Sequence, residues 1–234
     1  MHRILVFNSK GGSGKSTIAT NLAGYFASRG RSTALLDYDP QGSAMRWLSQ
    51  RPKDKPKIYG IAAFKNRMDL TRSWQLHIPS QADWVIIDAP AGVTGFRLAD
   101  YVQRVDTIII PVLPSPIDIH AAANFIKDLL LVGKSRQFGT NIAVVANRVK
   151  ENTRVYKQLR RFLASLELPY VATFRESQNY IRAAEQGLSI HELIKPRATA
   201  SCEQWNPLLA WLEVMPQRRF NEPLHNIFPL WAKG

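Results

Sequence analysis

One cysteine, Cys202, stands in a chain of 234 residues. It excludes an intrachain disulfide and any all-cysteine metal site within one subunit, and it fits a reducing cytoplasm. Long hydrophobic runs are missing too. The longest, such as Thr107 to Leu113, are far below the length of a transmembrane helix, and charges interrupt anything longer. The first residues, Met-His-Arg-Ile-Leu-Val-Phe, run straight into a glycine-rich loop and lack the length and cleavage pattern of a signal peptide. No internal repeat or low-complexity tract appears. Acidic residues are scarce: 18 Asp+Glu face 31 Lys+Arg, a formal charge of +13, with a pI near 10.1. Such a surplus favours polyanionic partners, nucleic acid first and an anionic membrane surface second.

Hydrophobic residues make up 45% of the chain, enough for one α/β domain with a sizeable core. Apolar runs with little polar alternation read as parallel strands covered on both faces: Arg3 to Asn8, Thr33 to Asp37, Trp84 to Asp88, Thr107 to Val112, Asn141 to Ala146, and a further one around Tyr170 to Phe174. Between them lie helical patterns at Ser16 to Ser28 (closed by Gly30), Ser43 to Gln50, Phe96 to Gln103, Ile117 to Val132, Thr153 to Ser165 and Tyr180 to Glu185. This alternation predicts a doubly wound, mostly parallel sheet flanked by helices. The segment from Lys57 to Ala82 is ambiguous. A single domain over 1–214 is expected, with 215–234 as a proline-containing tail.

The motif that carries chemistry is Lys10-Gly-Gly-Ser-Gly-Lys-Ser-Thr17. It follows the first strand and opens the first helix, the setting a phosphate-binding loop requires. Gly11, Gly12 and Gly14, with Ser13 between them, let backbone N–H groups converge on phosphate oxygens, and the helix N-terminus adds partial positive charge. Lys15 is expected on the β- and γ-phosphates, Ser16 on Mg²⁺, and Thr17 near the α-phosphate. Lys10 has no task in an ordinary phosphate loop; its charge suits phosphates approached from another direction, including across a dimer interface. Asp37-Tyr-Asp-Pro-Gln41 and Val85-Ile-Ile-Asp-Ala-Pro90 end the second and third clear strands. Carboxylates at such strand ends face the ligand crevice, which makes Asp88 a Mg²⁺-holding residue, directly or through water.

Together with Pro111-Val-Leu-Pro-Ser-Pro-Ile-Asp118, these segments resemble the ParA/MinD family of deviant Walker A P-loop ATPases, and most of all its small partition and positioning members. The likeness covers about residues 1–150. It implies ATP and Mg²⁺ as cofactors, slow partner-stimulated hydrolysis and an ATP-sandwich homodimer. Lys10 would reach the partner's nucleotide, Asp39 would position or activate the attacking water, and Asp37 would support the magnesium shell. Asn147, closing Val144-Val-Ala-Asn147, matches the family's adenine-reading asparagine. The first strand starts at Arg3, so the likeness is to the type without an N-terminal helix-turn-helix. Nonspecific DNA of the nucleoid is then the expected surface. A plasmid, a chromosome origin or a large assembly such as a carboxysome is the expected cargo, joined by a ParB-like or adaptor protein. Candidate DNA-contacting residues are Lys157, Arg160, Arg161, Lys195, Arg197, Arg218 and Arg219; the first three share one helix face.

Three other functions fit the residues less well. A MinD-like membrane ATPase needs a C-terminal amphipathic helix. The tail has Phe220, Leu224, Ile227, Phe228 and Trp231, but Pro223 and Pro229 break any helix spanning them. A bridging iron–sulfur cluster, as in the nitrogenase iron protein, needs two cysteines per subunit. Ligase chemistry on this fold needs substrate-binding inserts for which little length is spare. His120, near the start of a helical pattern, reads as a surface residue and not a base, and His77, His191 and His225 show no metal spacing. Trp205 and Trp211 are expected to pack a last helix, and Cys202 to be a small half-buried residue.

Overall fold

The computed structural model describes residues 1–64, 78–133, 135–193 and 198–217. Seven parallel strands form one sheet in the order β3-β2-β4-β1-β5-β6-β7. They are β1 (His2–Val6), β2 (Thr33–Asp37), β3 (Tyr59–Ala62), β4 (Trp84–Asp88), β5 (Thr107–Val112), β6 (Asn141–Val149) and β7 (Tyr170–Arg175). The helices between them are α1 (Lys15–Ser28), α2 (Ser43–Ser49), α3 (Gly95–Gln103), α4 (Pro116–Leu131), α5 (Ser135–Phe138) and α6 (Arg154–Ser165), and α7 (Gln178–Glu185), α8 (Thr199–Glu203) and α9 (Asn206–Val214) follow the last strand.

The side-chain alternation of β1 shows how the layers form. Ile4 and Val6 pack with Ile18, Leu22 and Phe26 of α1 and with Trp205, Leu208 and Leu212. Leu5 and Phe7 point to the other face, against Leu98 and Val102 of α3, Phe125 and Leu129 of α4, and Leu159 and Leu163 of α6. Each such aliphatic residue contributes about 1.5–3 kcal/mol by leaving water. With both faces covered, the central strands read as continuous apolar runs.

Register decides where the site sits. Val6 lies opposite Asp88, and Asp37 lies opposite Asp88. The carboxyl ends of β1, β2 and β4 are therefore level, and the loops that follow them meet at one edge of the sheet.

Expected and observed elements agree in kind and differ at their ends. β6 runs on to Val149 through two register irregularities against β7, with Arg148 at φ 51. β3, within the ambiguous stretch, pairs with β2 from Ala34↔Tyr59 to Asp37↔Ala62. Trp205 is fully buried ahead of α9, its ring tilted against that of Phe174 at 4.3 Å between centroids. Cys202 is half-buried, as expected. The described part of the expected tail lies against the domain: Asn141 Nδ2 donates to Pro216 O at 3.4 Å, and the amino terminus donates to Gln217 Oε1 at 3.2 Å. Residues 218–234, with Arg218, Arg219, His225 and the apolar tail residues named above, lie outside the described residues, as do His77, Lys195 and Arg197.

Candidate nucleotide site

The loop between β1 and α1 wraps the open edge of a cavity of about 1270 Å³. Gly11, Gly12, Gly14, Lys15, Ser16 and Thr17 line it. Gly12 at φ 75 and Gly14 at φ 93 hold the left-handed backbone that turns the loop. Gly14 also lies against Asn147: a Cβ there would come within 2.1 Å of Asn147 Nδ2. Gly14→Ala is thus strained twice, by φ and by overlap. It is expected to lower stability by about 1–3 kcal/mol and nucleotide affinity by at least about tenfold. Thermal melts and titration with a fluorescent ATP analogue measure both.

Ser13 turns inward. Its carbonyl accepts from Asn147 Nδ2 at 2.9 Å, and its hydroxyl donates to Lys10 O at 3.3 Å. Asn147 therefore ties the end of β6 to the loop, and it lines the cavity as well.

Lys15 is buried, and its Nζ donates to Lys10 O at 3.1 Å. Burial lowers its pKa, and Asp88 and Asp39 oppose the change. An ammonium held this way, close to two carboxylates, is preset for anionic oxygens.

Asp88 is fully buried. Neither carboxylate oxygen makes a hydrogen bond of normal geometry, although the Ser16 hydroxyl is near enough to favour the charged form. Burial raises the carboxyl to about 7, with Asp37 and Asp39 adding to the rise and Ser16 and Lys15 opposing it. A buried, unpartnered carboxylate beside a serine hydroxyl suits a hard divalent cation. Among the described residues no three His, Cys, Asp or Glu side chains form a metal site of their own. A Mg²⁺ ion there would thus have to be completed by water or phosphate oxygens, its usual manner of binding.

Asp37 is placed differently. Its Oδ1 accepts from Asp39 N at 3.0 Å, and its Oδ2 accepts from Met45 N at 3.1 Å. It shapes the loop and the start of α2, and reaches Asp88 through its charge. Tyr38 between them is half-buried and meets the Tyr101 ring at 5.5 Å, which pins the turn. Asp39 lines the cavity, its Oδ1 accepting from Gln41 N at 3.0 Å.

Lys10 is not among the residues that line the cavity. Its Nζ pairs with Asp118 Oδ1 at 2.7 Å, and the lysine side chain is 36% exposed. Asp118 stands in the first turn of α4, where the Ser115 hydroxyl accepts from Asp118 N at 3.1 Å. The Pro111–Asp118 segment carries part of the family resemblance, but the sequence assigns Asp118 no task. The Ser-x-x-Asp spacing ahead of an apolar run was the available signal, since it marks a helix N-terminus with an acidic third position. Sequence reading also missed the far wall of the cavity, formed by Phe174, Ser177, Gln178, Tyr180, Ile181 and Trp205. These residues come together only through the β7–α7 and α8–α9 connections, and no spacing links them.

Lys157, Arg160 and Arg161 are exposed on α6, whose Leu159 and Leu163 face inward. Arg154 joins them, so the helix carries four cations and no acid. Among the described residues none of the four enters an ion pair. Nearby, Arg148 and Lys150 are matched by Glu176, and Arg175 by Glu151.

Comparison with known proteins agrees with this geometry. Residues 4–190 match the CobQ/CobB/MinD/ParA nucleotide binding domain. Maintenance of carboxysome distribution protein A of Halothiobacillus neapolitanus is 28% identical over 216 residues, covering 91% of this chain and 96% of the relative. The protein of the same name from Gloeobacter kilaueensis is 30% identical over 195 residues, 80% of this chain and 82% of the relative. Among solved structures, the ATP complex of McdA from Cyanothece superposes with a TM-score of 0.69 at 16% identity, over 95% of this chain and 99% of that one. Among the described residues no helix is long and apolar enough to cross a membrane. A nucleotide-sized cavity over a glycine-turned loop, a buried lysine, an unpartnered aspartate at the adjacent strand end and a family match over most of the length lead to one assignment: the chain belongs to the CobQ/CobB/MinD/ParA nucleotide-binding family.

Proposed function

We propose that this protein is a ParA-type positioning ATPase. It closes as a homodimer over ATP, holds nonspecific DNA in that state, and is released when a cargo-bound partner stimulates hydrolysis. The observation that carries the reading is Lys10: a loop lysine that does not line its own cavity and whose ammonium is held at a half-exposed position by Asp118. The cargo is proposed to be a large protein assembly of the carboxysome kind, because both long relatives bear that name.

In this reading Lys15 and the loop N–H groups bind the phosphates, and Lys10 exchanges Asp118 for the nucleotide bound by the second copy. Asp39 orients the attacking water. Ser16 and Asp88 would hold Mg²⁺, which supplies charge neutralisation on the β- and γ-phosphate oxygens. Asp37 keeps the Asp39 loop in place, and Asn147 borders the base. Phosphoryl transfer needs positioning and charge stabilisation more than covalent help, so these groups suffice. The unmatched cations of α6 supply the DNA face, with Lys195, Arg197, Arg218 and Arg219 as further candidates.

The test is binding to random-sequence duplex DNA with ATP and with ADP across a salt series, beside flotation with anionic vesicles. Binding that requires ATP and falls steeply with salt is expected. Vesicle binding without DNA binding would overturn the proposal in favour of a MinD-like membrane role.

A further inference from the structure

The turn from Gly187 to Glu192 lies outside the nucleotide cavity, yet three helices that build the cavity meet there. It touches α1 first. Ile190 N donates to Asn21 Oδ1 at 2.6 Å, and Asn21 Nδ2 donates to Thr17 O at 2.7 Å. A Cβ on Gly24 would stand 2.5 Å from Ser189 Cβ, so the turn presses on α1 at glycine distance. It touches α2 next. Trp47 Nε1 donates to Leu188 O at 3.1 Å, and a Cβ on Gly187 would stand 2.4 Å from Arg51 N. Finally, it continues directly from α7, whose Gln178, Tyr180 and Ile181 form part of the cavity wall.

One buried ion pair fastens these contacts. Arg51, two residues beyond α2, donates to Glu192 Oε1 at 2.6 Å and to Glu192 Oε2 at 3.0 Å. It donates also to Gly187 O at 3.2 Å and Pro56 O at 3.1 Å. Both side chains are only 5% exposed. Glu192 Oε2 accepts in addition from Ser189 N at 2.9 Å and Ser189 Oγ at 2.8 Å. Burial pushes the Glu192 carboxyl up, but Arg51 and Ser189 outweigh it and leave it below its ordinary value. A buried ion pair is a poor source of stability, because desolvation offsets its attraction; an apolar pair of similar volume serves as well or better. What a planar fork with each of its three nitrogens donating does provide is a fixed geometry.

That geometry bears on Asp39. The loop that carries Asp39 hangs from the start of α2: Gly42 N donates to Asp39 O at 2.8 Å, and Met45 N donates to Asp37 Oδ2 at 3.1 Å. We propose that Arg51 and Glu192 are positioning residues for hydrolysis: by clamping α2 to the turn that also seats α1 and α7, they fix the Asp39 loop relative to the phosphate-binding loop. This rests on the reading of Asp39 as the residue that orients the attacking water. The phosphate-binding loop has its own supports in Asn147 and Asn8, whose Oδ1 accepts from Lys10 N at 3.0 Å. Loosening the clamp therefore affects the rate step more than nucleotide binding.

The experiment compares wild type, Arg51→Met/Glu192→Met, Arg51→Lys and Asp39→Ala in basal ATP turnover at saturating Mg²⁺–ATP, affinity for a fluorescent ATP analogue, and thermal stability. The double methionine variant is expected to melt within a few degrees of wild type and to bind the analogue within threefold. Its kcat is expected to fall at least fivefold. Arg51→Lys keeps the charge but loses the fork; its kcat is expected to fall at least fivefold too, and it carries the test if the double variant does not fold. A kcat within fivefold of wild type in the folded variant overturns the proposal, as does a loss of kcat matched by an equal loss of affinity. Asp39→Ala separates the two levels: if it turns over like wild type, the reading of Asp39 has failed; if it is inactive while the clamp variants are normal, only the clamp has failed.

Discussion

Asp88→Asn is expected to make the nucleotide-free protein more stable at pH 8 while abolishing its response to Mg²⁺. The wild-type carboxyl is raised from 3.8 to about 7, first by burial. The native state therefore binds more protons than the unfolded chain between about pH 4 and pH 7, and stability falls as pH rises through that window. The cost at pH 8 is on the order of 4 kcal/mol as an upper bound. An asparagine carries no charge, so the variant loses this pH dependence; its advantage is largest above pH 7 and vanishes near pH 4. The cation needs the ionised carboxylate, so stabilisation of wild type by Mg²⁺–ATP is expected to grow up to about pH 7. In the variant it is expected to equal that given by ATP alone. ATP turnover is expected to fall about a hundredfold or more. Melting curves from pH 5 to 8, with and without Mg²⁺–ATP, check each part. Parallel pH profiles for the two proteins would contradict the assignment.

Lys10→Ala is the second large effect, and it is of a different kind. The Lys10–Asp118 pair is half-exposed on the lysine side. Such pairs are worth about 1 kcal/mol or less, so the variant is expected to fold with little loss. Because Lys10 does not line its own cavity, affinity of the single chain for Mg²⁺–ATP is expected to stay within about threefold. What disappears is everything that needs a second copy: ATP-dependent association, ATP-dependent DNA retention, and about a hundredfold of basal turnover through lost charge stabilisation. The weakness of the pair with Asp118 is part of the account, since a phosphate must be able to displace the carboxylate.

The phosphate end of the site was legible in the sequence because it is local. Lys10 to Thr17, Asp37 to Gln41 and Val85 to Pro90 each sit at the end of a buried apolar run, and parallel register then sets the three ends level. Element types were legible for the same reason: long runs of one period leave little choice. β3 escaped because its short run, with the sheet-edge burial of Tyr59 and Ala62, shows no clear period. The far wall of the cavity and the Gly187–Glu192 turn escaped because they are tertiary. Nothing around Glu192 announces that an arginine 141 positions earlier will meet it. Asp37, which the family resemblance sets in support of the magnesium shell, has each of its oxygens accepting from a backbone N–H group, an anchoring role that the motif alone does not announce.

Sedimentation velocity of wild type and Lys10→Ala, each with Mg²⁺–ATP and with Mg²⁺–ADP, tests the central claim most directly. The account predicts a single chain with ADP, a two-chain species with ATP for wild type, and a single chain in both conditions for Lys10→Ala. A wild-type protein that binds ATP yet sediments as one chain, or a Lys10→Ala variant that pairs as readily as wild type, would contradict it.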